Sequence, residues 1–348
     1  MTNDTCDWAR LDAAADSSLA GNPLAGRDLL RLLDLTPSEL FFVLSVAMRQ
    51  KAAWRLDPAA EAASAPYRGS TVAVILEKPS LRTRISFEVG AVRLGAHAAV
   101  MSDKQSAFSR GESIKDTVMV LERFADCIVL RTFEQARLAE VAHWASVPVI
   151  NALTDDYHPC QGLADLLTMH EHKGDLSRLK VAFIGDGNNM AHTYAEAAAL
   201  IGMELHLVTP LDFAPDPSII DACRAQAADP RRIRVDEDRE AALAGADVVI
   251  TDTWTSMGKE DDVARRRAAF ASYTVDAATM RKAAPGAMFL HCLPAHRGEE
   301  VTDEVMDGPQ SAIYDEAENR LHVQKALMSL VMAATAGRGA DTERSCPR

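Results

Sequence analysis

Thr71-Val-Ala-Val-Ile-Leu76 is followed by Glu77-Lys-Pro79, by Ser80-Leu-Arg-Thr-Arg84 and by Ile85-Ser-Phe-Glu-Val-Gly-Ala-Val-Arg-Leu94. The first run is short, apolar and rich in β-branched residues, which is typical of a buried strand. The last run has its apolar residues at helical spacing. Together they predict a strand, a short polar turn and a helix, in that order.

The turn between this strand and this helix has the composition of an anion site. Ser80-Leu-Arg-Thr-Arg84 holds two arginines and two hydroxyl groups. The free backbone N–H groups at a helix N-terminus can donate to a bound ligand, and the helix dipole favours negative charge at that end. Guanidinium and hydroxyl groups add further hydrogen bonds. In a chain of formal net charge −13, this positive cluster indicates a pocket for a phosphate group.

The composition limits the classes of protein to consider. The chain has 348 residues, 48% hydrophobic and 25% charged, as expected for a soluble globular protein long enough for two domains. Its acidic balance argues against a nucleic-acid or anionic-membrane surface, so a basic site has to be a small pocket. No run approaches the ~18 apolar residues of a membrane span.

The N-terminus and the cysteines bear on location. Met1-Thr-Asn-Asp-Thr-Cys6 lacks the charged and apolar regions of a secretion signal. The cysteines have no metal-ligand spacing, and we expect them to stay reduced. They are Cys6, Cys127, Cys160, Cys223, Cys292 and Cys346. The sequence therefore predicts a cytoplasmic protein.

Strand-like runs alternate with helical patterns along the chain. Thr36-Pro-Ser-Glu39 predicts a capping box that opens a helix toward Trp54. Further helices are predicted at 113–124, at 134–144 and from about Glu318 to Ala336. Strands are predicted at 71–76, 97–101, 127–131, 148–151, 181–184, 205–208, 247–251, 288–291 and 312–314. This alternation predicts an α/β fold of two doubly wound domains, each a mainly parallel sheet flanked by helices, with the C-terminal helix crossing back to the first domain.

Ligands of doubly wound sheets bind at the carboxyl ends of the strands. Polar or reactive residues follow most of the predicted strands of this chain. Besides Ser80 to Arg84, these segments are Arg131-Thr132, His158-Pro-Cys-Gln161, Gly185-Asp-Gly-Asn-Asn189, Asp252-Thr-Trp-Thr-Ser-Met-Gly258 and His291-Cys-Leu-Pro-Ala-His-Arg297. The first predicted domain offers cations, hydroxyls and a histidine, whereas the second offers amide, carboxylate, hydroxyl and thiol groups. We expect them to converge on one site.

Each segment also has a structural interpretation when taken alone. Ser80 to Arg84 fits a solvated surface turn, and His158 fits a helix cap. Cys292 fits a small buried apolar residue, and Asp252 fits a turn or N-cap residue. Gly185-Asp-Gly187 matches the opening of a dinucleotide fingerprint, but Met190 replaces its third glycine, and a tight strand-to-helix turn explains it equally well.

The ordered set of segments resembles the aspartate/ornithine carbamoyltransferase family. Lys78-Pro-Ser-Leu-Arg-Thr-Arg84 carries the Ser-x-Arg-Thr-Arg pattern typical of the family as a whole. Ser256-Met-Gly258 and His291-Cys-Leu-Pro294 are typical of its ornithine branch. The resemblance runs from about Gly26 to Ala336. It implies transfer of the carbamoyl group of carbamoyl phosphate to the side-chain amine of L-ornithine, which gives L-citrulline and phosphate in arginine metabolism.

The resemblance also implies roles at individual positions. It assigns carbamoyl phosphate to Ser80, the Leu81 backbone, Arg82, Thr83, Arg131, His158, Gln161, Leu293 and Arg320. It assigns ornithine to Asn189, Asp252, Ser256, Met257 and Cys292. Cys292, Arg131, His158 and Asp252 are the expected catalytic residues, with Cys292 and Asp252 accepting the amine proton. No metal or organic cofactor is expected. Leu81 departs from the family's commonest pattern, which has a second hydroxyl, Thr, at this position.

The same resemblance divides the chain. It implies a carbamoyl-phosphate-binding domain over 26–157 plus 318–336 and an ornithine-binding domain over 158–317. Residues 1–25 and 337–348 are then terminal extensions. The polar segment Asp155-Asp-Tyr-His-Pro159 fits the boundary between the domains. The family further implies a homotrimer or a multiple of trimers.

Two alternative functions remain open at this point. The acceptor amine is putrescine or N-acylornithine in related enzymes, but Asp252 and Cys292 suit a cationic amine and Ser256-Met-Gly258 suits an amino acid. A dehydrogenase of a different class would use Gly185-Asp-Gly187 for a pyrophosphate. Against it, Val208-Thr-Pro210 has no acidic residue at the end of its strand.

Overall fold

Two parallel β-sheets organise the chain in the computed structural model, which describes residues 6–8, 11, 21–102, 111–255 and 262–334. The first sheet contains β1 (Thr71–Leu76), β2 (His97–Ser102), β3 (Cys127–Arg131) and β4 (Val149–Leu153). The second contains β5 (Lys180–Ile184), β6 (Glu204–Val208), β7 (Ile233–Asp236), β8 (Val248–Thr251) and β9 (Met288–His291). All pairs within both sheets are parallel.

The strand order places a crevice in each sheet. The order is β2-β1-β3-β4 in the first sheet and β7-β6-β5-β8-β9 in the second. The winding direction therefore reverses between β1 and β3, and again between β5 and β8. Such switch points open a crevice at the carboxyl ends of the two strands. The segments after β1, β3, β5 and β8 are those that begin at Glu77, Thr132, Gly185 and Asp252.

Helices flank both sheets, as the predicted doubly wound fold requires. Before and within the first sheet they are α1 (Pro37–Leu56), α2 (Pro58–Ala63), α3 (Leu81–Arg93), α4 (Ile114–Leu121), α5 (Gln135–Trp144) and α6 (Pro159–Lys173). In and after the second they are α7 (Asn189–Ile201), α8 (Pro217–Gln226), α9 (Arg239–Leu243), α10 (Val263–Phe270), α11 (Ala277–Lys282), α12 (Asp303–Met306) and α13 (Ile313–Val331).

Local sequence signals explain where several helices begin. Thr36 caps α1 and forms the predicted capping box: its Oγ1 accepts from the Glu39 N–H at 3.2 Å, and Glu39 Oε2 accepts from the Thr36 N–H at 2.8 Å. Pro37 and Pro159 stand at the first positions of α1 and α6, where a missing N–H has no consequence. These predicted helix starts are confirmed.

The C-terminal helix α13 returns to the first sheet, as predicted. It packs against α1, α3 and α6, and Asn319 accepts a 2.7 Å hydrogen bond from Lys51 of α1. Gly90 of α3 allows the close approach, because a Cβ there would lie 2.8 Å from the Met328 methyl group. Among the described residues, no helix combines the length and the apolar character that a bilayer crossing requires.

The strand predicted at 312–314 was wrong, and one observed strand was not predicted. Residues 312–314 are not a strand: Ser311 forms a single bridge to Phe289, and α13 begins at Ile313 rather than near Glu318. Asp315 and Glu316 in its first turn favour a helix start there. The strand β7 was not predicted, because Ile233-Arg-Val-Asp236 has only two apolar residues and pairs with β6 alone.

Candidate active site

A cleft of about 590 Å³ lies at the carboxyl ends of the strands, with walls from both sheets. It brings together most of the predicted site residues. Those lining it are Ser80, Leu81, Arg82, Arg131, His158, Gln161, Asn189, Asp252, Cys292, Leu293 and Arg320. Thr83 is fully buried and does not line the cleft. Ser256 and Met257 lie outside the described residues.

The start of α3 forms one wall of the cleft. Ser80 is the N-cap in extended backbone conformation, and its Oγ accepts the Thr83 N–H at 3.3 Å. Leu81 is the first helical residue and is 74% exposed. The positive end of the helix dipole therefore faces the cleft beside an exposed apolar side chain.

Arg82, Arg131 and Arg320 converge on the same wall. Arg82 Nη2 donates to the Leu293 carbonyl across the cleft. Burial, followed by the charges of Arg320 and Arg82, lowers the pKa of Arg131 to about 10. Burial also lowers the pKa of Arg320. Arg131 Nε has no hydrogen-bond partner among the described residues. Such a group of cations fits an anionic ligand.

Arg320 is held from two sides. Its Nη1 donates to Gln161 Oε1 at 2.7 Å, and its Nη2 donates to Thr83 Oγ1 at 3.1 Å. The Thr83 hydroxyl therefore faces Arg320. It acts on the cleft indirectly, by holding that guanidinium. This arrangement joins α13, α6 and α3 behind one wall.

His158 stands at the mouth of α6, as predicted for a residue before Pro159. Its backbone N–H donates to Thr193 Oγ1 at 2.9 Å, and the residue is 4% exposed. Burial, followed by the charges of Arg320, Arg131 and Arg82, lowers the pKa of His158 well below its usual value. The imidazole is therefore neutral at pH 7. Its Nδ1 has no partner among the described residues.

Asp252 and Cys292 form the opposite wall. Asp252 Oδ1 accepts from the Cys292 thiol at 3.1 Å and from the Thr253 N–H at 2.7 Å. Asp252 Oδ2 accepts from Asn188 Nδ2 at 2.7 Å. Burial, followed by the charge of Asp252, raises the pKa of Cys292 well above its usual value. Cys292 is thus a thiol that donates to a carboxylate, and this pair suits a cationic ligand.

The backbone between Cys292 and the arginines has an unusual conformation. Leu293 has a φ of +58°, in the left-handed region. Its N–H donates to His291 Nδ1 at 2.9 Å, and His291 Nε2 bonds Glu300 Oε1 at 3.2 Å. Because Nδ1 accepts, Nε2 carries the proton. This buried pair fixes the turn that aims the Leu293 carbonyl at Arg82.

Asn188 is a site residue that the sequence reasoning missed. It caps α7, with Oδ1 accepting from the Met190 N–H at 2.9 Å, while its Nδ2 holds Asp252. Its place directly after β5 was the available signal. The neighbouring Asn189 lines the cleft and donates to the Thr154 carbonyl at 2.7 Å.

The glycine-rich turn after β5 has a packing explanation. A Cβ on Gly187 would lie 2.1 Å from the Pro215 nitrogen. The Gly187 N–H already donates to the Phe213 carbonyl at 2.8 Å. The segment after β6 therefore occupies the space beside this turn. A dinucleotide pyrophosphate would need both that space and that N–H group.

Two groups of side chains among the described residues bring possible metal ligands together. Asp252, His291 and Cys292 have ligand atoms within 4.8 Å of one another, as do His296, Glu299 and Glu300. Both ring nitrogens of His291 already have partners. The carboxylate of Glu299 is paired with Arg267. In both groups at least one ligand is committed to another contact, so neither presents a complete metal site.

Comparison with known proteins identifies the family of each half. A family model described as "Aspartate/ornithine carbamoyltransferase, carbamoyl-P binding domain" matches residues 27–171. A second, described as "Aspartate/ornithine carbamoyltransferase, Asp/Orn binding domain", matches residues 177–331. Together they cover most of the chain.

Individual relatives agree with these matches. The chain is 49% identical over 313 residues to an ornithine carbamoyltransferase of Symbiobacterium thermophilum, covering 89% of this chain and 99% of the relative. The structure of ornithine carbamoyltransferase from Pyrococcus furiosus is similar with a TM-score of 0.82 and 42% identity, covering 89% of this chain and 98% of that one. The structure of anabolic ornithine carbamoyltransferase from Campylobacter jejuni is similar with a TM-score of 0.80 and 36% identity, covering 87% of this chain and 98% of that one. The chain therefore belongs to the aspartate/ornithine carbamoyltransferase family.

Proposed function

We propose that this chain transfers the carbamoyl group of carbamoyl phosphate to the side-chain amine of L-ornithine, giving L-citrulline and phosphate. The observation that carries the proposal is one cleft with a cationic wall facing a carboxylate–thiol wall. The relatives named above are called ornithine carbamoyltransferases. The two walls match the charges of the two substrates.

The phosphate group is proposed to bind at the start of α3. Ser80, the backbone of Leu81 and the guanidinium of Arg82 supply donors there. Arg82 bonds the Leu293 carbonyl in this structure, so a bound phosphate would compete for a donor already aimed into the cleft. Phosphate is the leaving group, and these donors stabilise the charge that develops on it.

The carbamoyl group is proposed to lie between Arg131 and His158. Arg131 Nε and His158 Nδ1 are buried and have no hydrogen-bond partner among the described residues. Nucleophilic attack on the carbamoyl carbon places negative charge on its oxygen, and donors fixed in advance stabilise that charge. Gln161, Arg320 and Leu293 are proposed to contact the same ligand, with Thr83 acting through its bond to Arg320.

The amine is proposed to bind between Asp252 and Cys292. The ornithine δ-amine has a free pKa near that of lysine, about 10.4, and it has to lose a proton before it attacks. Loss of water in the cleft and the nearby arginines lower the pKa of such an amine. Asp252 is the proposed acceptor of that proton. Cys292, expected from the sequence to share this role, is a thiol that donates to Asp252 and orients the carboxylate instead. Asn189, Ser256 and Met257 are proposed for the amino-acid end of ornithine.

The choice of acceptor amine is tested with a panel of substrates. With carbamoyl phosphate and the purified chain, we expect citrulline from ornithine and little product from putrescine, N-acetylornithine or aspartate. Aspartate carries a second carboxylate, which the Asp252 wall repels. Equal rates with ornithine and putrescine would contradict the assignment. An NAD(P)H fluorescence titration serves as the control against a dehydrogenase, and no change is expected.

Leu81 offers a test of how the phosphate is held. Its N–H is the donor at the helix start, and its exposed side chain contributes no polar group. Leu81→Thr adds a hydroxyl worth about 1 kcal/mol, so we expect KM for carbamoyl phosphate to fall about fivefold at unchanged kcat. Leu81→Ala, which keeps the N–H, should leave KM unchanged. A large rise of KM in Leu81→Ala would show that the leucine side chain itself takes part.

The proposal also covers assembly, pathway, location and domain division. A homotrimer is supported by exposed apolar side chains on or directly after α3 and α4, namely Ile85, Val92, Met119, Val120 and Phe124. The proposed product supports a place in arginine biosynthesis. The described cysteines are free, which supports the reducing cytoplasm. The two sheets support the proposed division into 26–157 plus 318–336 and 158–317.

A further inference from the structure

Two buried carboxyl groups lie behind the cleft without lining it. Asp165 on α6 is fully buried, and Glu316 on α13 is 1% exposed. Neither belongs to the residues that line the cleft. Buried carboxyl groups are rare unless they have partners that compensate the loss of water. Their partners therefore indicate what they do.

Both groups converge on the side-chain amide of Gln161. Its Nε2 donates to Asp165 Oδ1 at 2.7 Å and to Glu316 Oε1 at 3.0 Å, while its Oε1 accepts from Arg320 Nη1 at 2.7 Å. The far oxygen of each carboxyl group also has a donor. Asp165 Oδ2 accepts from the Tyr194 hydroxyl at 2.6 Å, and Glu316 Oε2 accepts from the His291 N–H at 2.9 Å.

This arrangement links the two walls of the cleft. On one side it holds Gln161 and Arg320, which line the cationic wall. On the other it holds the backbone of His291, directly before Cys292 and Leu293. A shift of Glu316 would therefore move groups proposed for both substrates.

The local charge is balanced only if the pair holds a proton. The charged and titratable groups facing it are Arg320 on its own helix, Tyr194 on α7 and Cys292 after β9. Arg320 provides one positive charge, whereas two ionised carboxyl groups would provide two negative ones at fully buried positions. Burial, followed by the charge of Asp165, raises the pKa of Glu316 well above its usual value. Burial raises the pKa of Asp165 to about 6.

The hydrogen-bond lengths indicate where the proton lies. The two carboxyl groups share one donor, Gln161 Nε2, which lies 2.7 Å from Asp165 Oδ1 and 3.0 Å from Glu316 Oε1. Hydrogen bonds to an ionised acceptor are the shorter ones. The shorter bond from Gln161 therefore indicates that Asp165 carries the negative charge.

We propose that Asp165 and Glu316 share one proton, carried by Glu316, and that this acid pair is a positioning unit that fixes Gln161 and Arg320 relative to the His291–Leu293 backbone. The proposal rests on the proposed carbamoyl transfer for its kinetic consequences. Glu316 then acts as a neutral donor in its side-chain hydrogen bond with Asp165, and Asp165 acts as an anion that accepts from Gln161 and Tyr194.

Amide substitutions distinguish the two members. Glu316→Gln keeps the net charge of the pair, a donor toward Asp165 and the acceptor for the His291 N–H, and it gives up only the 3.0 Å bond from Gln161, so we expect kcat and KM within about threefold of the wild type. Asp165→Asn places an NH₂ group against Gln161 or Tyr194, both of which donate. We expect at least a tenfold rise in KM for carbamoyl phosphate, with kcat also reduced. Glu318→Gln, on an exposed side chain of the same helix, is the matched control and should match the wild type.

Every other kinetic pattern overturns the proposal. If Glu316→Gln lowers activity and Asp165→Asn does not, the proton lies on Asp165. Equally large losses of activity in both variants would show that the proton is not fixed on Glu316. Wild-type kinetics in both variants would show that the pair does not position Gln161 and Arg320. Circular dichroism of each variant checks that the fold is kept.

Infrared spectroscopy tests the proton without turnover, in case Asp165→Asn does not fold. The spectrum of the wild type minus that of Glu316→Gln should contain the C=O stretch of a protonated carboxyl group. Glu196, whose pKa burial raises to about 8, is present in both samples and cancels. A difference spectrum without this band overturns the proposal. A wild type with the band but without citrulline formation would instead overturn the proposed function.

Discussion

Replacing Arg82 by alanine is expected to lower kcat/KM for carbamoyl phosphate about a thousandfold. Arg82 lies in the first turn of α3, lines the cleft and reaches the Leu293 carbonyl on the other wall. A guanidinium gives a phosphate two charge-assisted hydrogen bonds of about 2 kcal/mol each. Their loss of about 4 kcal/mol corresponds to three powers of ten in rate. Steady-state phosphate release at varied carbamoyl phosphate measures it.

The same helix supplies a matched control for Arg82→Ala. Arg84 stands two residues later, has a side chain 57% exposed, and pairs with Glu88 rather than with the cleft. Arg84→Ala removes the same charge and should change kcat/KM less than twofold, because exposed pairs contribute little. KM for ornithine should stay unchanged in Arg82→Ala. Activity of Arg82→Ala within tenfold of the wild type would contradict a phosphate site at this helix start.

Replacing Asp252 by asparagine is expected to lower kcat/KM for ornithine a hundredfold or more. The carboxylate accepts from Cys292, Thr253 and Asn188 and carries the negative charge of the amine-facing wall. An amide removes the charge and turns one acceptor into a donor. Truncating one partner of a buried charge pair costs about 3 kcal/mol or more, which corresponds to at least about two powers of ten. Initial rates at varied ornithine measure the change.

The loss in Asp252→Asn should be specific to the amine. Binding of inorganic phosphate, measured by calorimetry, should be unchanged, because Asp252 lies on the wall opposite Arg82 and Arg131. Asp212→Asn, on a side chain 76% exposed, removes the same charge elsewhere and should leave both substrates unaffected. Weakened phosphate binding in Asp252→Asn, with ornithine kinetics unchanged, would exchange the roles proposed for the two walls.

The fold could be predicted where local signals were strong. The capping box at Thr36, the proline after His158 and the β-branched runs of the central strands are each formed by a few consecutive residues, and all are confirmed. The edge strand β7 was missed because an edge strand pairs on one side only and needs fewer apolar residues. Residues 312–314 were assigned wrongly because an apolar triplet fits a strand as well as a helix start.

The candidate site was predictable in outline for a topological reason. Parallel strands end at the same edge of a sheet, so polar residues after them meet at the switch points. Asn188 was overlooked because an N-cap asparagine is usually structural. The acid pair of Asp165 and Glu316 had no signal in the sequence. Carboxyl groups on helices are ordinarily solvated, and only the packing of α6 against α13 buries these two together.

The most direct measurement follows citrulline and inorganic phosphate in the same reaction of the wild-type chain with carbamoyl phosphate and L-ornithine. A single cleft that holds the leaving group on the Arg82 wall and the amine on the Asp252 wall predicts equal amounts of both products. It also predicts that phosphate release stops when ornithine is omitted. Phosphate released without citrulline, or neither product from active, folded protein, would contradict carbamoyl transfer to ornithine.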